Sequence, residues 1–234
     1  MSTKHYLTPL TENSRLFVPH NNGEFIFSGL PAGPGNYIID GKRILSRDQL
    51  IPEAEELAFL VHASYFNLRG RYHLKLELVR DAMRKGMLWI YNRNLIDADG
   101  IYVVQDPGAI GIRERLCSFR RMFKHGKEIS GVIFSSDKRV RFAPEGTYIE
   151  GEHTPESLAL DGFIIASFGK IGAEKIAKAS SLFKNNPIVK LPKLSERGRQ
   201  RVSAVYTTYD EDRLIIDGSQ LGDSGNGYSW GLMK

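Results

Sequence analysis

The stretch DGFIIASFGKIGAEKIAKAS, residues 161–180, sets Gly169, Lys170 and Gly172 between an apolar run and a helix-forming one. Glycine has no Cβ, so its backbone can approach a phosphate closely. The start of a helix adds free N–H groups and the positive end of a dipole. Lys170 brings a formal charge to the same point, and Lys175 and Lys178 continue a basic stripe. The spacing predicts an anion-binding GKIG loop that opens a helix over GAEKIAKASSLFKNN.

This loop resembles the GXXG loop of the KH nucleic-acid module, which clamps a nucleic-acid backbone. The resemblance covers GKIG, the helix after it and PIVKL as a following strand, and it implies contact with a nucleic-acid backbone. It lacks a clear helix before the loop, because GFIIASF looks more like a strand. Gly108 and Gly111 repeat the spacing. Neither a Walker A motif nor a dinucleotide fingerprint is present.

Charge placement supports the same expectation. The net charge is +5, but Lys and Arg concentrate in residues 69–93, 111–141 and 170–201, whereas 144–165 holds five acids and no Lys or Arg. Such segregation can build a basic face that binds phosphate backbones by releasing counterions. Arg120, Arg121, Lys124, Arg139 and Arg141 are the further contacts expected on it, with nucleic acid as partner and affinity falling as salt rises.

Acidic residues offer a second chemistry. NLIDADGIYVVQDPG carries Asp97, Asp99 and Asp106. An EF-hand alignment on Gly100 puts Leu95 at the first ligand position and the short Asp106 at the last, so a turn between strands is the better reading. In YIEGEH, Glu150 and Glu152 share a strand face because side chains alternate. These glutamates with Asp97, Asp99 or Asp106 would hold Mg²⁺ or Mn²⁺ for phosphodiester hydrolysis. No cofactor is required by the first reading; Mg²⁺ belongs to this second one.

Other chemistry-bearing residues are weaker. Cys117 lies among arginines with His125 two turns later, and a lone cysteine is more often core. His62 reads as a hydrogen-bonded core residue. GDSGN (222–226) resembles the serine environment of trypsin-like proteases, but the rest of that pattern is missing. Aromatic and basic residues interleave in LRGRYH, SFRRMF and VRF, where exposed rings would stack on bases. The third reading is a non-catalytic interaction or assembly protein, homo-oligomeric and docking through its tail. Enzyme and binder both stay open.

The elements that would position these residues point to an α+β fold, with a mixed, largely antiparallel sheet and about four helices. Strands are expected near 24–28 and 36–40. A helix runs from Ser46 and Pro52 to about Asn67, another over RYHLKLELVRDAMRKG, and a basic one over 111–125. MLWIYN, GIYVVQ, TYIEGE, PIVKL, 201–209 and 213–217 read as strands, and SGVIFSSDKRVRFA as a hairpin. DGFIIASF is a buried strand or a helix end. Four Asp-Gly pairs, at Asp40, Asp99, Asp161 and Asp217, suggest hairpin turns. Residues 1–234 read as one domain, with a subdivision near 143–150 as the alternative and 222–234 as a glycine-rich tail, a flexible arm or a bound strand. No apolar run reaches the roughly 18 residues of a membrane span. One cysteine and no apolar leader suggest a cytoplasmic setting without a membrane.

Overall fold

The computed structural model describes residues 14–20, 23–67, 69–108, 123, 126–197, 199–208 and 210–234. The basic helix expected over 111–125, with Arg120, Arg121, Lys124 and Cys117, lies outside the described residues except for Phe123.

In chain order the elements are β1 (Arg15–His20), β2 (Gly23–Ser28), β3 (Ala32–Gly35), α1 (Tyr37–Ser46), α2 (Ala54–Phe66), α3 (His73–Lys85), β4 (Met87–Asp97) and β5 (Gly100–Gln105). Then come β6 (Lys127–Ile129), β7 (Val132–Phe134), β8 (Val140–Pro144), β9 (Gly151–Glu152), α4 (Pro155–Leu160) and α5 (Gly162–Ser180). Finally β10 (Ile188–Lys190), a 3₁₀ turn (Leu194–Glu196), β11 (Gln200–Thr208), β12 (Arg213–Gln220) and β13 (Gly227–Ser229) complete the chain.

The fold class is α+β. Nine strands follow one another in the order β6-β7-β8-β5-β4-β11-β12-β10-β9, and β13 joins β4 to β3 at the side. Most pairs are antiparallel; β10–β12 and β13–β4 are parallel. Strands from both sides of residues 143–150 enter this sheet. β1 and β2 form a separate hairpin that packs on α2, where Phe25 meets Phe59 edge-on at 5.5 Å.

Helices α2, α3 and α5 cover one sheet face, and their apolar residues share a core with Leu88, Ile90, Val103, Val205 and Ile216. α2 is buried on nearly all sides, as a helix between other layers must be. On the opposite face Tyr37 and Ile44 of α1 pack on Trp89 and Tyr91 of β4.

Several local expectations change. YIIDGKRI is helix, not strand. Asn36 caps α1 by accepting from Ile39 N at 2.9 Å, and Tyr37, Asp40, Gly41 and Ile44 recur on its buried side. Ser46 ends α1 rather than opening the next helix, and α2 starts two residues after Pro52. Of the four Asp-Gly pairs, Asp99-Gly100 turns the β4–β5 hairpin. Asp161 instead caps α5, accepting from Ile164 N at 3.1 Å, and Asp217-Gly218 lies inside β12. TYIEGE contributes only Gly151 and Glu152 to a strand. The tail is a bound strand: Gly227 lies against the Trp89 indole, and Trp230 is fully buried.

Candidate ligand-binding cleft

α5 is broken at Gly169, whose φ of 72° and ψ of 168° belong to a region open almost only to glycine. GKIG is therefore a break inside a helix, not a loop after a strand: GFIIASF is the helical half before it, and Lys170 opens the half after it. Each orphaned end meets a side chain of matching sign. Arg141 of β8 donates from Nη1 to the carbonyls of Ala166 and Ser167, at 3.2 and 3.3 Å. Asn92 of β4 adds Nδ2 to Ser167 O at 3.0 Å. Cations and donors suit a helix C-terminus. At the restarting N-terminus stands Glu55 of α2, so close that a Cβ on Gly169 would collide with its carboxylate. An acid of the same chain thus lies beside Gly169, where the sequence suggested an anion.

A two-lobed cleft opens onto this break. The larger lobe, about 490 Å³, lies between Glu53, Glu55 and Glu56 at the start of α2, Arg141 beneath, and Lys170 and Ile171 beyond the break. Phe25, Ile129 and Phe134 supply its apolar wall. The smaller lobe, about 280 Å³, runs over Ile51, Tyr91, Gln105 and Asp106 to the β7–β8 turn. Glu53 and Lys138 border both. Volumes of this order suit small-molecule sites.

Burial shapes the charges inside. Glu56 is pushed up to about 7 by burial, even though its carboxylate accepts from Glu53 N at 2.7 Å in a capping box. Burial also raises Glu55, against the pull of Arg141 and Lys138. Arg141 is 4% exposed and its guanidinium lies 5.2 Å from the Phe134 ring. Its Nε has no hydrogen-bond partner among the described residues, and neither has Nε2 of Gln105, which is 6% exposed in the other lobe. Leaving a buried donor unmade costs on the order of 1–3 kcal/mol. Behind the smaller lobe, Asp106 is fixed by Arg93 Nε at 2.8 Å and Tyr37 OH at 3.2 Å.

Of the residues expected to share one basic face, Lys170, Arg139 and Arg141 border the cleft, Lys175 and Lys178 lie on aromatic rings beyond it, and Arg120, Arg121 and Lys124 lie outside the described residues. Lys175 sits 5.1 Å from the Phe59 ring and Lys178 5.3 Å from Phe66. Gly172 is buried against α2 near Glu55 and Ala58. Arg139 borders the smaller lobe, its amide donating to Asp137 at 3.0 Å. His62 is stacked on Phe66 at 4.4 Å, and its Nε2 has no partner among the described residues; burial lowers it to about 4.

The acids of the second reading are not brought together. Asp97 ends β4, accepts from Ala98 N and pairs with Arg197; Asp99 is in the hairpin turn. Glu152 is at the far edge strand, accepting from Asn186 at 3.0 Å, and the exposed Glu150 precedes it. β4 and β9 are four strand steps apart, roughly 19 Å at ordinary strand spacing. Among the described residues no group of three or more His, Cys, Asp or Glu side chains is placed to hold a metal.

Sequence reasoning missed Glu53, Glu55, Glu56 and Gln105 as cleft residues. The acids of PEAEE were visible as the first turn of a helix, where carboxylates favour the dipole. Nothing local says that the turn faces a cavity.

No protein family matches the chain, and no curated protein does. A solved structure reported as "Accommodation of massive sequence variation in Nanoarchaeota by the C-type lectin fold" is similar over 95% of this chain and 100% of its own, at 12% identity and a TM-score of 0.48. A likeness at that level carries no inference about ligands. Among the described residues no helix is long and apolar enough to cross a membrane.

Proposed function

We propose that this chain is a binding protein whose site is the two-lobed cleft between α2, the β7–β8 turn and the break in α5. Its ligand is small and polar, carrying acceptor oxygens for Gln105 and Arg141 and a cationic group for the glutamates: an amino acid or a similar zwitterion. The observation behind this reading is the pair of deeply buried, unpartnered donors in adjoining lobes. Buried donors are seldom left without partners, and a ligand oxygen would complete them once these side chains turn toward the cleft, because both nitrogens are closed off from solvent as they stand.

Balanced charge favours a zwitterion over a polyanion. Glu53, Glu55, Glu56, Asp106 and Asp137 line the cleft alongside Lys138, Arg139, Arg141 and Lys170. A phosphate backbone would meet five acids there against four bases. The apolar wall suits a ligand with a hydrocarbon or aromatic body. This reading differs from the interaction or assembly protein docking through its tail that the sequence offered as a third alternative. A cytoplasmic setting accords with the single cysteine.

Thermal melts with the twenty amino acids and Gly–X dipeptides as probes test the reading. A ligand at about a hundred times its Kd should raise Tm by roughly 5–10 °C. Gln105→Leu should lose that shift while keeping its own melt cooperative. If no probe moves Tm, or if Gln105→Leu responds like the native chain, the proposal fails.

A further inference from the structure

A second, separate cleft lies where β1 meets the turn between α2 and α3. It holds about 220 Å³ and is bordered by Phe17, Arg69, Arg71, Tyr72 and His73. The sequence motif LRGRYH supplies four of these five. Tyr72 is not enclosed in the core: it is half-buried, its inner edge packing on core residues. Its ring lies 5.8 Å from that of Phe17 at 32°. The Arg71 guanidinium is 4.5 Å from the Tyr72 centroid and 5.9 Å from that of Phe17. Lys75 approaches the same ring at 5.6 Å and is held by the carbonyl of Arg15 at 2.6 Å.

From this geometry we propose that the Phe17–Tyr72–Arg71 stack binds one nucleotide unit of a single-stranded nucleic acid, the base on the stack and the phosphate among Arg69, Arg71 and Lys75. Aromatic faces accept any base, and a guanidinium plane extends the platform. Cations gathered beside the rings serve the phosphate. A cavity of this size has room for one base, not a helix. Glu24 also borders this cleft, and a carboxylate there can accept from an exocyclic amine. The inference is independent of the α2 cleft and shares no residue with it.

Fluorescence anisotropy of the full chain with short labelled oligo(U) and oligo(dT) tests it, with heparin as a polyanion that has no bases. Binding is expected at about 50 mM salt and should weaken steeply toward about 200 mM. Tyr72→Leu should raise Kd about tenfold for the oligonucleotides, leaving heparin unchanged. Tyr72→Phe keeps the ring and should bind as the native chain does. Arg71→Ala, at an exposed position, should weaken both ligand types without altering the melt. Absence of oligonucleotide binding at low salt overturns the proposal, as does equal binding by Tyr72→Leu and Tyr72→Phe. Gln105→Leu should leave oligonucleotide affinity unchanged, so the two sites can fail separately.

Discussion

The carboxylate of Glu55 lies where a side chain on Gly169 would have to go. Together with Arg141 on the carbonyl side, it faces a helix break from which both dipole ends project. The break is thus fixed from two neighbouring elements, α2 and β8, and cleft and break are one construction.

Gly169→Ala should destabilise the protein by about 1–3 kcal/mol, because its φ of 72° is closed to most residues and the new methyl group meets Glu55. For a chain of this size that lowers Tm by roughly 3–10 °C. Gly225 has open space around its Cβ position and no unusual φ, so Gly225→Ala should melt within about 0.5 kcal/mol of the native chain. Parallel thermal melts decide it.

Arg141→Leu should cost about 2–4 kcal/mol, because two helix carbonyls lose a charged donor and Glu55 loses its nearby cation. Adding Glu55→Gln should recover part of that loss, giving a non-additive double-mutant cycle in denaturant titrations. Strict additivity would mean that the two residues act separately.

Glu56 makes stability depend on pH. Its carboxyl is raised by burial from 4.5 to about 7, so between those values the folded chain binds more protons than the unfolded one. This contribution is full below pH 4.5 and is lost as pH rises through about 7. Glu56→Gln can still accept from the Glu53 amide but does not titrate. Measured from pH 4.5 to 7.5, the variant should gain stability relative to the native chain; a constant difference would contradict the assignment.

Trp230→Ala should lower stability by about 3–5 kcal/mol, since this fully buried ring belongs to the core shared with β1 and α2. The native chain should emit at short wavelength, because both tryptophans are fully buried. Chemical denaturation followed by fluorescence and by circular dichroism checks both expectations.

The α+β class was legible, as were the helix over 73–85 through the Gly86 stop and the strands in MLWIYN, GIYVVQ and 201–208 through their β-branched and aromatic residues. Not every short pattern was. YIIDGKRI and RLIIDGSQ are nearly the same string, yet the first is α1 and the second β12. Asn36 starts a helix in one case, and partners on both sides hold a strand in the other. GFIIASF could not be assigned because a fully buried helix shows no polar side. The cleft was less legible still. It arises from residues near 53, 105, 138 and 170, brought together by helix packing and sheet order, neither of which leaves a mark at any one of those positions.

The tail has a kinetic consequence. Met233 N donates to Ile26 O, and Ser28 N to Gly231 O, so the second strand is fastened by residues some two hundred positions away. Such distant pairings are slow to find, because the intervening chain must be ordered first. Refolding should therefore pass through a species in which α2, α3 and the central strands are packed while Trp230 is still wet. That half-closed molecule, with its β1–β2 hairpin unfastened, is the form most open to proteases and to association with its own kind.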